Sequence, residues 1–174
     1  MIKRILRRLR GGQGGFGLLE MSVTLAITGL IGLGAAAVTA QMMTHGARNG
    51  DYNTASQYAM NAIYWITRDA QMSQALEPEG ASGFPVTLGW TEWDNTEHEV
   101  VYEIEDGKMM RSHSVDGGAA QEMLVAELIN PAADSTNCTF ADRRLIVQVT
   151  STIGEGNNAL SVTKLREVAP RPGL

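Results

Sequence analysis

The sequence predicts an α+β protein in which one long N-terminal α-helix, half of it transmembrane, packs against a C-terminal antiparallel β-sheet. Three observations support this prediction. Residues 21–43 carry no formal charge. Apolar residues then recur at helical spacing as far as about Leu76. The rest of the chain alternates short apolar runs with turn signals, which indicates strands.

The uncharged segment is long enough to cross a bilayer as a helix. It contains 23 residues, with only Ser, Thr and Gln as polar interruptions, and about 20 apolar residues suffice. Residues 1–15 hold five basic and no acidic residues, whereas the remainder has 9 basic against 19 acidic residues. The positive-inside rule therefore predicts a cytoplasmic leader and a translocated C-terminal part. The acidic remainder also disfavours nucleic acid as a direct partner.

Two targeting interpretations compete for this N-terminus. The first is a secretory signal peptide, with a basic start and a small-residue cleavage site near Ala40. It would release a soluble domain, but its apolar region exceeds the usual length of about 7 to 15 residues, and Glu20 would lie near its start. The second interpretation depends on a junction at Gly15 and Phe16, followed by an apolar run with a single acid, Glu20.

This junction resembles the N-terminal signal of type IV pilins and of type II secretion pseudopilins. The resemblance covers about 30 residues. It depends on four features that follow one another along the chain: a basic leader, a Gly-Phe junction, one Glu and an uncharged span. It implies cleavage after Gly15 by a prepilin peptidase, N-methylation of Phe16 and a role for Glu20 in assembly. It further implies a cytoplasmic (inner) membrane location, and as partners other pilin or pseudopilin subunits, a membrane assembly platform and the lipid bilayer. The leader is longer than in many pilins, and the span has no Pro.

Glu20 has two interpretations. It either reaches back to the lipid headgroups from the first turn of the helix, where the helix dipole favours an anion by about 0.3–1 kcal/mol, or it pairs with the Phe16 amine of a neighbouring subunit. A charge at the centre of a membrane costs about 2.5–3.5 kcal/mol, so the second interpretation supplies the cation that the carboxylate needs. The resemblance implies the pairing and thereby a fixed axial register.

Small residues follow along the span. Gly29, Gly32, Gly34, Ala36 and Ala40 are spaced so that another helix could approach closely. Alternatively, glycine is simply frequent in membrane helices. The sequence does not decide whether the helix is continuous from Gly29 to Gly34.

The predicted organisation has four parts. Residues 1–15 are a cleaved leader, 16–44 a transmembrane and assembly helix, 45–76 its amphipathic continuation, and 77–174 a β-rich head. The continuation rests on apolar residues at helical spacing, which are Tyr52, Ala55, Ala59, Ala62, Ile63, Ile66 and Ala70. Glu77, Pro78 and Gly80 are expected to stop it.

The head is expected to hold an antiparallel sheet of about four to six strands. Asp106 and Gly107 predict a two-residue hairpin turn between residues 100–105 and 108–112, with Val100, Tyr102 and Ile104 facing the helix. Residues 84–93, 145–149 and 160–165 also predict strands. Residues 123–129 fit either a strand or a short helix.

A second resemblance involves the helix end and the hairpin. Trp65, Arg68 and Asp69, then a strand with a Tyr, an Asp-Gly turn and Arg111, are similar to J-like minor pseudopilins of type II secretion. The alternative is that Arg68 and Asp69 are solvated helix charges and that Trp65 is an ordinary packing residue.

Other candidate sites are weaker. The sequence predicts no catalytic residues, no cofactor and no metal: His45, His98 and His113 fall on separate elements, and the acidic loop of Glu92, Asp94, Glu97 and Glu99 lacks the ligand spacing of a calcium site. The single cysteine, Cys138, predicts a small buried residue. Phe84, Trp90 and Trp93 could form a partner surface, but packing is the favoured interpretation.

The predicted function is a non-enzymatic structural subunit of a type IV pilus-like or type II secretion filament, more consistent with a minor than a main subunit. The alternative is a single-pass anchored, or secreted, binding or adhesion domain that does not polymerise. Which machine the filament would serve is open.

Overall fold

The computed structural model describes residues 17–78 and 82–171, which form one long helix and eight strands. These elements are α1 (Leu18–Met72), β1 (Ala75–Pro78), β2 (Val86–Thr91), β3 (Glu97–Glu105), β4 (Lys108–Val115), β5 (Gln121–Ala126), β6 (Asn137–Ala141), β7 (Arg144–Ile153) and β8 (Leu160–Val168). A single 3₁₀ turn, Gly156–Asn158, lies between the last two strands. The predicted α+β class is confirmed.

By internal contacts the chain divides into two units, Met1–Ala47 and Arg48–Leu174. The second is called the folded unit below. It holds both sheets, a five-stranded sheet in the order β1-β2-β3-β4-β5 and a three-stranded sheet in the order β6-β7-β8. All pairs are antiparallel. Isolated bridges from Ser82 to Thr139 and from Ile129 to Ser151 link the two sheets.

Small residues on α1 let the helix pack closely against the sheets. Ala55, Ala59, Ala62 and Ala70 have no exposed surface, and neither has Ile66. Their spacing of three or four residues places them on one face of the helix. The inward-facing residues of the strands complete the core, among them Val86, Leu88, Val100, Tyr102, Met109, Leu145, Val147 and Val149.

The predicted long helix is present, but it ends earlier than expected. The helix is continuous from Leu18 to Met72, including the three glycines of the span. It ends at Met72 rather than near Leu76, because the Gln74 amide donates to the Gly89 carbonyl at 2.8 Å and Leu76 pairs with Leu88 in β1 and β2. Strand pairing therefore overrides the helical pattern of these residues. Tyr52, expected on the packed face, is half exposed.

The strand predictions hold for five elements, each with shifted ends. The hairpin around Asp106 and Gly107 is present, with positive φ at both turn residues, as the type I′ turn requires. Of the residues expected to face the helix, Val100 and Tyr102 are buried and Ile104 is partly buried against the core. The ambiguous stretch is strand β5. The five-stranded sheet agrees with the expected four to six strands. Strands β1 and β6, and the second, three-stranded sheet, were not predicted.

The turn between β6 and β7 offers a stability test. Asp142 and Arg143 both have positive φ, 51° and 61°, in a conformation that costs an ordinary residue about 1–2 kcal/mol. We expect Arg143→Gly to raise the free energy of unfolding by up to about 1 kcal/mol, since glycine's greater freedom in the unfolded chain offsets part of the relief. The midpoint of urea unfolding of the full-length protein in detergent measures this effect.

The converse substitution is the control. Gly107 has a φ of 72°, and an added Cβ would lie 3.4 Å from the Ile129 carbonyl oxygen. Gly107→Ala is therefore expected to lower the same midpoint. An unchanged or lower midpoint for Arg143→Gly would contradict the strain assigned to this turn.

Candidate functional site

The N-terminal part of α1 is the first candidate site. Along residues 18–50 every side chain is exposed, and the helix is long and apolar enough to cross a membrane. Glu20 lies in its first turn and is exposed, with its amide donating to the Gly17 carbonyl at 2.9 Å. Gly15 and Phe16, the predicted cleavage site and methylated residue, lie outside the described residues.

The hydroxyl side chains of this segment are satisfied within the helix. Each hydroxyl donates to the carbonyl four residues earlier, at 2.7–3.0 Å; the donors are Ser22, Thr24, Thr28, Thr39 and Thr44. A hydroxyl already bonded in this way costs less to place in lipid than a free one. These interruptions are therefore compatible with a membrane span.

The glycines of the span have no packing role in the described chain. A Cβ built at Gly29, Gly32 or Gly34 would meet nothing within 4 Å outside the local helix backbone. Glycine costs a helix about 1 kcal/mol relative to Ala in water. A partner helix is one reason for keeping residues this small, because small residues let helices approach closely in lipid.

A buried charge network lies where the end of α1 meets the hairpin of β3 and β4. Asp69 is 1% exposed, and its Oδ2 atom accepts from the Tyr102 hydroxyl at 2.5 Å and from Arg111 Nε at 2.7 Å. Tyr102 and Arg111 are directly opposite each other in the β3–β4 register, which is why one carboxylate reaches both. Asp69 Oδ1 has no hydrogen-bond partner within the described chain.

The network changes the acidities of its members. Burial, followed by the charge of Asp69, raises the pKa of Tyr102 well above its usual value. Burial opposes the charge on Arg111, but the hydrogen bond and charge of Asp69 outweigh it and raise the pKa of Arg111. The arrangement is therefore a fixed ion pair with a neutral phenol, suited to holding the hairpin on the helix.

The alternative that Asp69 is a solvated helix charge is wrong, because its carboxylate is buried. Arg68 is exposed, as that alternative expected, but its Cζ atom lies 5.1 Å from the centre of the Trp65 ring. The Cζ atom of Arg111 lies 5.5 Å from the same ring. Five residues of the second resemblance are thus connected in one junction, namely Trp65, Arg68, Asp69, Tyr102 and Arg111.

Two of the three histidines meet, contrary to the expectation that they are scattered. His98 Nδ1 and His113 Nε2 are 3.0 Å apart, and both rings stack near Trp90. They are diagonal neighbours on the inner face of β3 and β4, a relation that needs the strand register. Burial, then the charge of Arg111, lowers the pKa of His113, so His113 favours its neutral form.

The acidic loop forms a turn. Asp94 Oδ1 accepts from the Thr96 amide at 3.1 Å, and this hydrogen bond lowers the pKa of Asp94. Within residues 17–78 and 82–171, no three His, Cys, Asp or Glu side chains are grouped so as to hold a metal ion.

The three clustered aromatic residues have different surroundings. Trp90 is 8% exposed and belongs to the core, and Phe84 packs against it, as predicted. Trp93 is 94% exposed, so its predicted packing role is wrong. Because β2 ends at Thr91, strand alternation no longer sets the direction of Trp93, which stands in the following turn.

Cys138 is fully buried, as predicted. Burial raises the pKa of its thiol to about 12, and a protonated, covered thiol is a poor nucleophile. Modification of Cys138 therefore reports opening of the folded unit in the full-length protein.

Sequence reasoning missed one surface altogether. A groove of about 460 Å³ lies between α1 and β8, with exposed apolar residues on its floor and three cations at its rim. Its two sides are separated by about 100 residues in the chain. The run Lys164, Leu165 and Arg166 was the available signal, since it exposes an apolar residue between two charges.

No protein-family model, no curated protein and no solved structure matches the chain. A family assignment for the chain is therefore a proposal that rests on its residues.

Proposed function

We propose that this chain is a non-enzymatic subunit of a type IV pilus-like or type II secretion filament. In this account the leader is removed after Gly15. The chain is held in the cytoplasmic membrane with its folded unit on the extracytoplasmic side. During assembly, α1 packs against α1 of neighbouring subunits. The partners are other pilin-like subunits, the prepilin peptidase, a membrane assembly platform and the bilayer. The mature N-terminus is N-methylated Phe16.

One observation carries the proposal. The side chains of a long apolar helix are exposed along residues 18–50 in the described part of the chain, yet the helix has a carboxylate in its first turn. A plain membrane anchor has no need of that charge, which is costly once the turn that carries it lies inside the bilayer. An assembly helix does, because the carboxylate can pair with the amine that cleavage creates on a neighbour.

Three further features support the same proposal. Among residues 17–78 and 82–171, nothing packs against the positions of the glycines of the span. The hydroxyls of the span are already bonded, which leaves the helix surface apolar for lipid or for other helices. The contacts among Trp65, Asp69, Tyr102 and Arg111 involve residues of the pattern that resembles J-like minor pseudopilins, and they support the proposal of a minor subunit.

The processing step is tested by the N-terminal residue and the mass of the protein isolated from its native membrane. We expect a chain that begins at Phe16 and is heavier by one methyl group at its amine. Gly15→Leu is the matched variant and is expected to leave the leader attached. A chain that begins near Gln41 would indicate a secreted domain, and an intact Met1 would indicate an anchored protein that is not processed; either result would overturn the proposal.

A further inference from the structure

The turn between β2 and β3 presents an unusual side chain. Trp93 is 94% exposed, although tryptophan is among the residues with the highest average burial. Acidic residues flank it on both sides, Glu92 and Asp94, and these three residues are called the acidic tip below.

Backbone hydrogen bonds fix this turn. The Glu92 amide donates to the Thr96 carbonyl at 2.9 Å, and the Asn95 amide donates to the Glu92 carbonyl at 3.1 Å. Asp94 caps the same turn through the Thr96 amide. The tip therefore presents an aromatic side chain from a fixed backbone, and ordering its two side-chain torsions costs little entropy on binding.

The groove between α1 and β8 has the complementary chemistry. Met60 and Tyr64 from the helix and Leu165 from the strand form its apolar part, and each is more than half exposed. Arg68, Lys164 and Arg166 line the same groove. It thus combines apolar surface with three positive charges, in a chain whose remainder after the leader is strongly acidic.

We infer that the acidic tip of one copy of this chain docks in the groove of another copy. Trp93 would cover the exposed Met60 and Leu165, and the carboxylates of Glu92 and Asp94 would face the cations of the rim. The guanidinium groups can also lie over the indole ring, a favourable arrangement for a cation and an aromatic face. Both halves of the contact are present in one sequence, which is why a second copy is the occupant.

Charge makes the contact selective. Copies with a net negative folded unit repel each other in general, so they associate best where the basic groove meets the acidic tip. The two surfaces are different patches, so the contact is heterologous and can repeat from copy to copy. The inference rests on the proposed function, because an assembly brings copies side by side. The docking contact implies that each assembly contains more than one copy of this chain.

A photo-cross-linker in place of Trp93 tests the contact in the full-length protein in its membrane. Benzoylphenylalanine keeps a large aromatic group at this position, and an isotopically heavy second copy distinguishes cross-links between copies from those within one. We expect light-to-heavy products on peptides that contain Met60, Tyr64 or Leu165, at about ten times the yield of the same probe at exposed Leu124. Products elsewhere, or none above the Leu124 level, would overturn the inference.

Charge exchange gives an independent check. Arg166→Glu in the heavy copy is expected to reduce the product about fivefold, and Glu92→Lys in the probe copy is expected to restore most of it. If neither substitution changes the yield of the cross-linked product, the acidic tip does not dock in this groove.

The failure of this inference can be told apart from failure of the proposed function. The same membranes are assayed for cross-linking between copies through cysteines in the span, at positions 23 and 25. If those helices cross-link and the Trp93 probe does not reach the groove, the filament proposal stands and the docking inference fails. If the probe reaches the groove and the helices do not cross-link, the docking inference stands and the filament proposal fails.

Discussion

Asp69→Ala is expected to lower the free energy of unfolding of the folded unit by about 3–5 kcal/mol, the usual cost of removing one partner of a buried ion pair. The reason is the single carboxylate oxygen that accepts from both Tyr102 and Arg111. Without it, a buried hydroxyl and a guanidinium with little exposure lose their shared partner. The urea midpoint of maleimide modification at buried Cys138, in full-length protein held in detergent, measures this loss.

Two variants make the test specific. Arg68→Ala removes a neighbouring charge that is exposed on the same helix, and is expected to cost less than about 1 kcal/mol. A double variant, Asp69→Leu with Arg111→Met, removes both charges and is expected to recover part of the stability lost in Asp69→Ala. If Asp69→Ala unfolds at the wild-type midpoint, the network does not hold the hairpin on the helix.

Glu20→Leu is expected to leave the protein in the membrane but reduce its association with other copies by at least about tenfold, as expected when a buried ion pair loses one partner. Leucine favours both the helix and the lipid, so the anchor itself is preserved or strengthened. The measurement is the fraction of the variant that is isolated together with a tagged wild-type copy after mild detergent extraction.

Ser22→Leu is the matched control for this variant. It lies in the next turn and exchanges a polar side chain for leucine, but it removes only a hydroxyl already bonded to the Leu18 carbonyl. Association at the wild-type level is expected. If Glu20→Leu also associates normally, Glu20 only reaches the headgroups and has no role in assembly.

The sequence was most informative where one pattern decides the structure. Helical periodicity placed Ala55, Ala59, Ala62, Ile66 and Ala70 on the packed face, and all five are buried. The Asp106-Gly107 turn fixed a hairpin and hence the direction of Tyr102. These features could be predicted because each depends on a few residues that are close together in the sequence: the period of one buried face, and the two residues of a turn.

Features that depend on register or on distant segments were missed. Strand β6 has a turn of Asp142 and Arg143 instead of a glycine signal, and β1 lies where helical spacing continues. The contact of His98 with His113 depends on the pairing of β3 with β4. The exposure of Trp93 depends on β2 ending two residues earlier, and composition alone does not supply that boundary.

The most direct test of the filament proposal is cross-linking of the span in the native membrane. Positions 23 and 25 are about 200° apart around a helix, so a chain with benzoylphenylalanine in place of both Val23 and Leu25 can link to neighbours on both sides, whichever type of subunit they are. The account predicts products that contain three subunits, whereas either single variant stops at the dimer. A double variant that yields only monomers and dimers would contradict polymerisation and leave a single-pass anchored domain.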